Sequence, residues 1–198
     1  MTLTLHQLVL RLPNGTVGPL DARWGPGVVL LRGPNGCGKT TLLRVACGER
    51  APDGGTVYID GRDPARDAEV RAHVSFLPAV PELSGFLQVD EAWRMMAALR
   101  GRPGWDGAPA RDALGLPGGR RLDALSVGQR RKAELLAAMA GDPAVLLLDE
   151  VFAPLDPDAT AVVAAWIAAW RVTRLVVVTG HGAVPVEPDV VVTLGVSR

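Results

Sequence analysis

Eight consecutive residues, Gly33-Pro34-Asn35-Gly36-Cys37-Gly38-Lys39-Thr40, constrain this chain more than any other stretch. They match G-x-x-x-x-G-K-[S/T] and lie between an unbroken apolar run, Val28-Val29-Leu30-Leu31, and a segment of helical patterning over residues 39–47. A buried strand, a glycine turn and a helix in that order make a cradle for phosphates. The glycines let successive backbone N–H groups turn inward, and the helix points its positive end at the same anion. Lys39 is placed to reach the β- and γ-phosphates of a nucleoside triphosphate, and the Thr40 hydroxyl is placed to ligate Mg²⁺. Residues 33 to 40, with Thr41 after them, are the candidate phosphate contacts. The chain has only two lysines, Lys39 and Lys132, so a chance glycine turn explains this placement poorly. The pattern alone indicates a nucleoside triphosphate and does not choose among kinases, GTPases and motor proteins.

At 198 residues the sequence fits one compact domain over 1–198, and an apolar fraction of 48% suits a sizeable core. Lys+Arg and Asp+Glu are both 21, so no bulk charge draws the surface onto nucleic acid, and no nucleic-acid partner is expected. Cys37 and Cys47 have no His or Cys neighbours at ligand spacing, which fits small buried thiols in a reducing cytoplasm. Residues 1–12 alternate apolar and polar and lack the basic start and long apolar run of a signal peptide. The longest membrane-like stretch, residues 159–170, is shorter than the roughly 18 apolar residues a spanning helix needs. The expectation is a soluble chain whose membrane role, if it has one, comes through a partner.

Hydrophobic periodicity places strands at residues 2–11, 27–32, 56–59, 74–77, 144–148, 174–179 and 190–194. Helices are expected at 39–47, 89–100, 126–140 and 158–170, with a Gly- and Pro-rich loop over 101–119 that carries a short helix near 110–114. Apolar strands alternating with helices predict an α/β fold: a mostly parallel sheet covered on both faces.

Further motifs follow in order. Leu125-Ser126-Val127-Gly128-Gln129 starts a helix at a good N-cap serine, and the free N–H groups of such a start make a second anion site. Val145-Leu146-Leu147-Leu148-Asp149-Glu150 is a buried strand ending in two carboxylates. Ala153-Pro154-Leu155-Asp156 comes next, and Thr179-Gly180-His181 ends the following buried strand. Together these resemble the ATP-binding domains of the ABC superfamily, over nearly the whole chain. The resemblance implies a P-loop NTPase core with N-terminal antiparallel strands and a helical subdomain over about 89–140. It makes Ser126, Val127, Gly128 and Gln129 a signature sequence that covers the γ-phosphate of ATP held by the opposite subunit, so a dimer, of identical or paralogous chains, is implied. Asp149 would hold Mg²⁺, Glu150 would polarise the attacking water, His181 would contact the γ-phosphate, and Asp156 would belong to the interface loop.

Departures from the family accompany these matches, among them Val151 in place of the common proline after Glu150 and a shortened tail after His181. Ala79 stands where the family has a Mg²⁺-contacting, permease-sensing glutamine, Arg11 and Leu12 occupy the region of its adenine-stacking aromatic, and Val127 replaces the first signature glycine. Trp24, nearer the phosphate loop, reads as a packing residue. The leading expectation is an ATP-hydrolysing subunit at the cytoplasmic face of a membrane transporter, working on a permease through ATP-driven dimer closure. Two alternatives stay open: a soluble ATPase of this type acting on DNA or ribosomes, and a nucleotide-binding regulator that hydrolyses little.

Overall fold

The computed structural model describes residues 1–180, 182 and 184–197. Its strands are β1 (Leu3–Leu12), β2 (Gly15–Trp24), β3 (Gly27–Arg32), β4 (Gly54–Ile59), β5 (Val74–Leu77), β6 (Val145–Leu148), β7 (Leu175–Thr179) and β8 (Val190–Thr193). The α-helices are α1 (Lys39–Ala46), α2 (Ala68–Ala72), α3 (Val89–Leu99), α4 (Ala108–Ala113), α5 (Val127–Met139) and α6 (Pro157–Trp170). Strands β3 and β5 to β8 form a five-stranded sheet in the order β5-β6-β7-β3-β8, with every pair parallel. Strands β2-β1-β4 form a separate antiparallel sheet.

The apolar runs in β3, β6 and β7 belong to two cores at once. Val29, Leu31, Val145, Leu147, Leu175 and Val177 face a core shared with the antiparallel sheet and α1. Val28, Leu146, Leu148, Val176 and Val178 face one shared with α3, α5 and α6. Alternate residues of a strand point to opposite faces, so covering both faces requires a run with no polar interruption. Trp24 is buried in the first core, as expected of a packing residue, and Trp93 in the second. Trp166 and Trp170 pack on the second from its edge, stacked on each other with ring centres 6.1 Å apart. Both cysteines are buried and free, and burial pushes the Cys47 thiol up to about 12.

Two elements were missing from the sequence reading. Strand β2 contains Gly18 and Pro19 and alternates weakly, which reads as loop; it lies at the edge of its sheet, where a proline costs no ladder bond. Helix α2 is one turn long, too short to show a period. The Asp67 carboxylate caps it, accepting from the N–H groups of Glu69 and Val70 at 2.9 and 3.1 Å.

Candidate functional site

β6, β7 and β3 are adjacent in the parallel sheet, so their carboxyl ends open at one place. There the chain leaves β3 into the glycine loop, Asp149 follows the last residue of β6, and β7 ends at Thr179. Gly33 has φ 148°, and a Cβ on it would lie 2.5 Å from Cys37 Sγ and 2.6 Å from the Leu194 carbonyl oxygen. Only glycine fits there. Gly38 caps α1 in the left-handed conformation, φ 94°, which aims the first N–H groups of the helix into the loop. The tip of the β1–β2 hairpin lies beside the loop, with Leu12 against Gly38 and the Asn14 amide near Gly36. Arg11 is exposed, and its backbone N–H donates to Asp53 Oδ2 at 2.8 Å.

Pro34, Asn35 and Gly36 form the exposed rim of the loop, while Cys37 and Lys39 are buried. The Lys39 ammonium donates to the carbonyl oxygens of Gly33 at 2.8 Å and Pro34 at 3.1 Å, so its charge is held inside the loop it would share with a phosphate. Asp149 is 1% exposed and its carboxylate accepts two hydroxyl hydrogen bonds, from Thr40 to Oδ2 and from Thr179 to Oδ1, both at 2.5 Å. Thr179 thereby joins the site, although the sequence marked it only as the residue before Gly180 and His181. The available signal was a lone hydroxyl at the end of a fully buried valine run. Glu150 follows at φ 49° and donates its N–H to Thr179 Oγ1 at 2.9 Å. It lines a recess of about 290 Å³ with Phe152, Ala153, Thr179, Gly180, Gly182 and Val184. His181 lies outside the described residues.

A carboxylate and a hydroxyl in direct contact are hard oxygen donors of the kind Mg²⁺ takes together with phosphate oxygens and water. Thr40 spends its proton on Asp149 and keeps its lone pairs for a cation. Among the described residues no group of three or more His, Cys, Asp or Glu is placed to hold a metal ion.

The signature turn is built on separate supports. Ser126 Oγ accepts from the Gln129 N–H, and Gln129 Oε1 accepts from the Ser126 N–H, both at 3.2 Å, closing a reciprocal cap on α5. Val127 projects outward, and a Cβ on Gly128 would lie 3.0 Å from the Pro154 carbonyl oxygen. The Asp156 carboxylate caps α6 through the Ala159 N–H at 2.8 Å and pairs with Lys132 of α5 at 2.6 Å. The Lys132 hydrogen bond, then the Ala159 N–H, hold that carboxyl below its ordinary range. Ala79 is exposed in the bend after β5.

A family model described as "ABC transporter" matches residues 25–153. The sulfate/thiosulfate import ATP-binding protein CysA of Gloeobacter violaceus is 36% identical over 149 residues, which cover 72% of this chain and 43% of that protein. The cytochrome c biogenesis ATP-binding export protein CcmA of Pseudomonas syringae is 36% identical over 147 residues, covering 69% and 67%. A solved dimeric structure of the ATP-binding cassette MJ0796, in a post-hydrolysis state bound to ADP and Pi, superposes with a TM-score of 0.79 at 18% identity over 99% of this chain and 97% of that one. The chain thus spans less than half the length of the importer it matches. Among the described residues no helix is long and apolar enough to cross a membrane.

Proposed function

The chain belongs to the ABC transporter family of ATP-binding domains, and from that premise we propose that it is the ATP-hydrolysing subunit of a membrane transporter. The observation that carries this reading is the meeting of Lys39, Thr40, Asp149, Thr179 and Glu150 at the carboxyl ends of three adjacent parallel strands. ATP enters with its phosphates against the N–H groups of residues 33–40, and Lys39 turns from its loop carbonyls to the β- and γ-phosphates. Thr40 and Asp149 would hold Mg²⁺, which would supply neutralisation of the phosphate charge. Glu150 accepts the proton of the attacking water, and His181 contacts the γ-phosphate.

The signature residues Ser126, Val127, Gly128 and Gln129 of a second copy, or of a paralogous subunit, close the site from the other side, with Asp156 in the loop between the two sites. A shared site of this kind makes closure depend on ATP and reopening depend on hydrolysis. The permease docks on the helical side at the cytoplasmic face of the membrane. Support for that surface comes from Val80 and Phe86, which are exposed between β5 and α3. Between them in sequence lie Glu82 and Leu83, which line a recess of about 300 Å³ together with Phe76, Pro78 and Met96.

The test is affinity isolation of tagged protein from gently solubilised membranes of its host. A multi-spanning protein recovered in stoichiometric amount supports the transporter reading. Recovery only from the soluble fraction with DNA or ribosomes would replace it with a soluble ATPase. In the purified protein, Glu150→Gln is expected to lower ATP turnover by about 10²-fold or more while nucleotide binding persists. An unchanged turnover number would remove Glu150 as the base.

A further inference from the structure

Near the start of α5, the signature helix turns a charged side chain inward. Arg131 is 3% exposed, and its guanidinium donates to two carbonyls of the sheet: that of Pro78, where the chain leaves β5, and that of Asp149, where it leaves β6. The Asp149 carbonyl belongs to the same peptide group as the Glu150 N–H, which donates to Thr179 Oγ1. A single peptide is therefore held at its oxygen from α5 and at its hydrogen from β7. The residue it leads into, Glu150, has φ 49°, a left-handed conformation that a side-chain-bearing residue keeps only where its neighbours impose it. The negative charges of Asp149 and Glu150 both act on the guanidinium.

Packing alone does not account for an arginine here. Arg131 and Glu134 are each 3% exposed and stand 3.9 Å apart, but Glu134 Oε1 accepts from Arg130 Nε at 3.3 Å, and Arg131 Nε and Glu134 Oε2 make no hydrogen bond to the protein. Arg131 therefore gains little from Glu134, and burying its charge for packing alone is costly. What an apolar residue cannot supply is a fork of N–H groups for two carbonyls.

We propose that Arg131 is a positioning residue for hydrolysis: by holding the Asp149–Glu150 peptide from the signature helix, it keeps the Glu150 carboxylate at the recess beside Thr179 and ties that orientation to the seating of α5. The proposal rests on Glu150 being the base. It also links α5 directly to the end of β6.

The experiment is steady-state and single-turnover ATP hydrolysis by the full chain carrying Arg131→Lys, Arg131→Met, Glu150→Gln, or Glu150→Gln with Arg131→Lys. Lysine keeps a charge and can serve one carbonyl; methionine serves neither. Turnover is expected to fall about threefold in the first and about tenfold or more in the second, with the KM for ATP held within about twofold. In the Glu150→Gln background, Arg131→Lys is expected to cost nothing further. Parental turnover in the Arg131 variants, a loss carried by KM, or an additive loss in the glutamine background would each overturn the proposal. Should Arg131→Met not fold, the lysine variant and its cycle decide alone. A parental rate in Glu150→Gln by itself removes the base and the proposal together, whereas a slow Glu150→Gln beside a parental Arg131→Lys removes only the proposal.

Discussion

Asp149 and Lys39 are nearly sealed from solvent, at 1% and 6% exposed, whereas Val127 at the tip of the signature turn is 78% exposed. The end of β6 is braced by partners distant in sequence, Thr40 and Thr179 on one carboxylate, while the Lys39 ammonium is held by two carbonyls of its own loop. The signature turn is capped by its own neighbours, Ser126 and Gln129, and backed by the Lys132–Asp156 pair. A site completed within one chain can be preorganised by its own sheet. On the proposed function the signature turn is completed by a second copy, so its helix start stays open and its stability comes from local caps.

This contrast can be broken most sharply at Lys39. Lys39→Ala removes the buried ammonium and is expected to lower ATP turnover by about 10²- to 10³-fold, with weakened nucleotide binding measured by fluorescence titration. A loss under about threefold would show that the loop amides suffice and that the sealed half does not depend on its charge. Asp149→Asn tests the other brace. It keeps the shape but not the charge, so half-saturating Mg²⁺ should rise by about tenfold or more in a metal titration of the hydrolysis rate. An unchanged requirement would place the cation elsewhere. The smallest effect is expected from Val127→Gly. A fully projecting side chain at the first position of α5 contributes little to the fold, so the melting temperature should move by no more than about 2–4 °C. ATP-driven self-association, followed by light scattering, should strengthen about two- to threefold as the branched side chain leaves the face presented to the second copy. A weakened association would give Val127 a contact role and blur the distinction between the two halves.

Much of this arrangement was legible in the residues. The strand-turn-helix around Gly33 to Thr40, the Ser126 cap, and the carboxylates ending β6 are local signals. Each is decided by residues within a few positions of one another, and the structure shows the strands and helices that flank them. Thr179 and Arg131 were not legible as site residues. A threonine ending a strand and an arginine in a helix are ordinary until the sheet order brings β7 beside β6 and packing sets α5 against the ends of β5 and β6. Strand β2 was missed because its pattern is weak and its edge position, which tolerates Pro19, exists only once β1 has paired on its other side with β4.

By itself the sequence determined the fold class, the order of the motifs and the phosphate cradle, because periodicity, glycine conformation and helix capping act over a few bonds and need no distant partner. Only the tertiary structure decided which groups hold Asp149 and what orients the peptide before Glu150, because these depend on hydrogen bonds between elements that lie far apart along the chain.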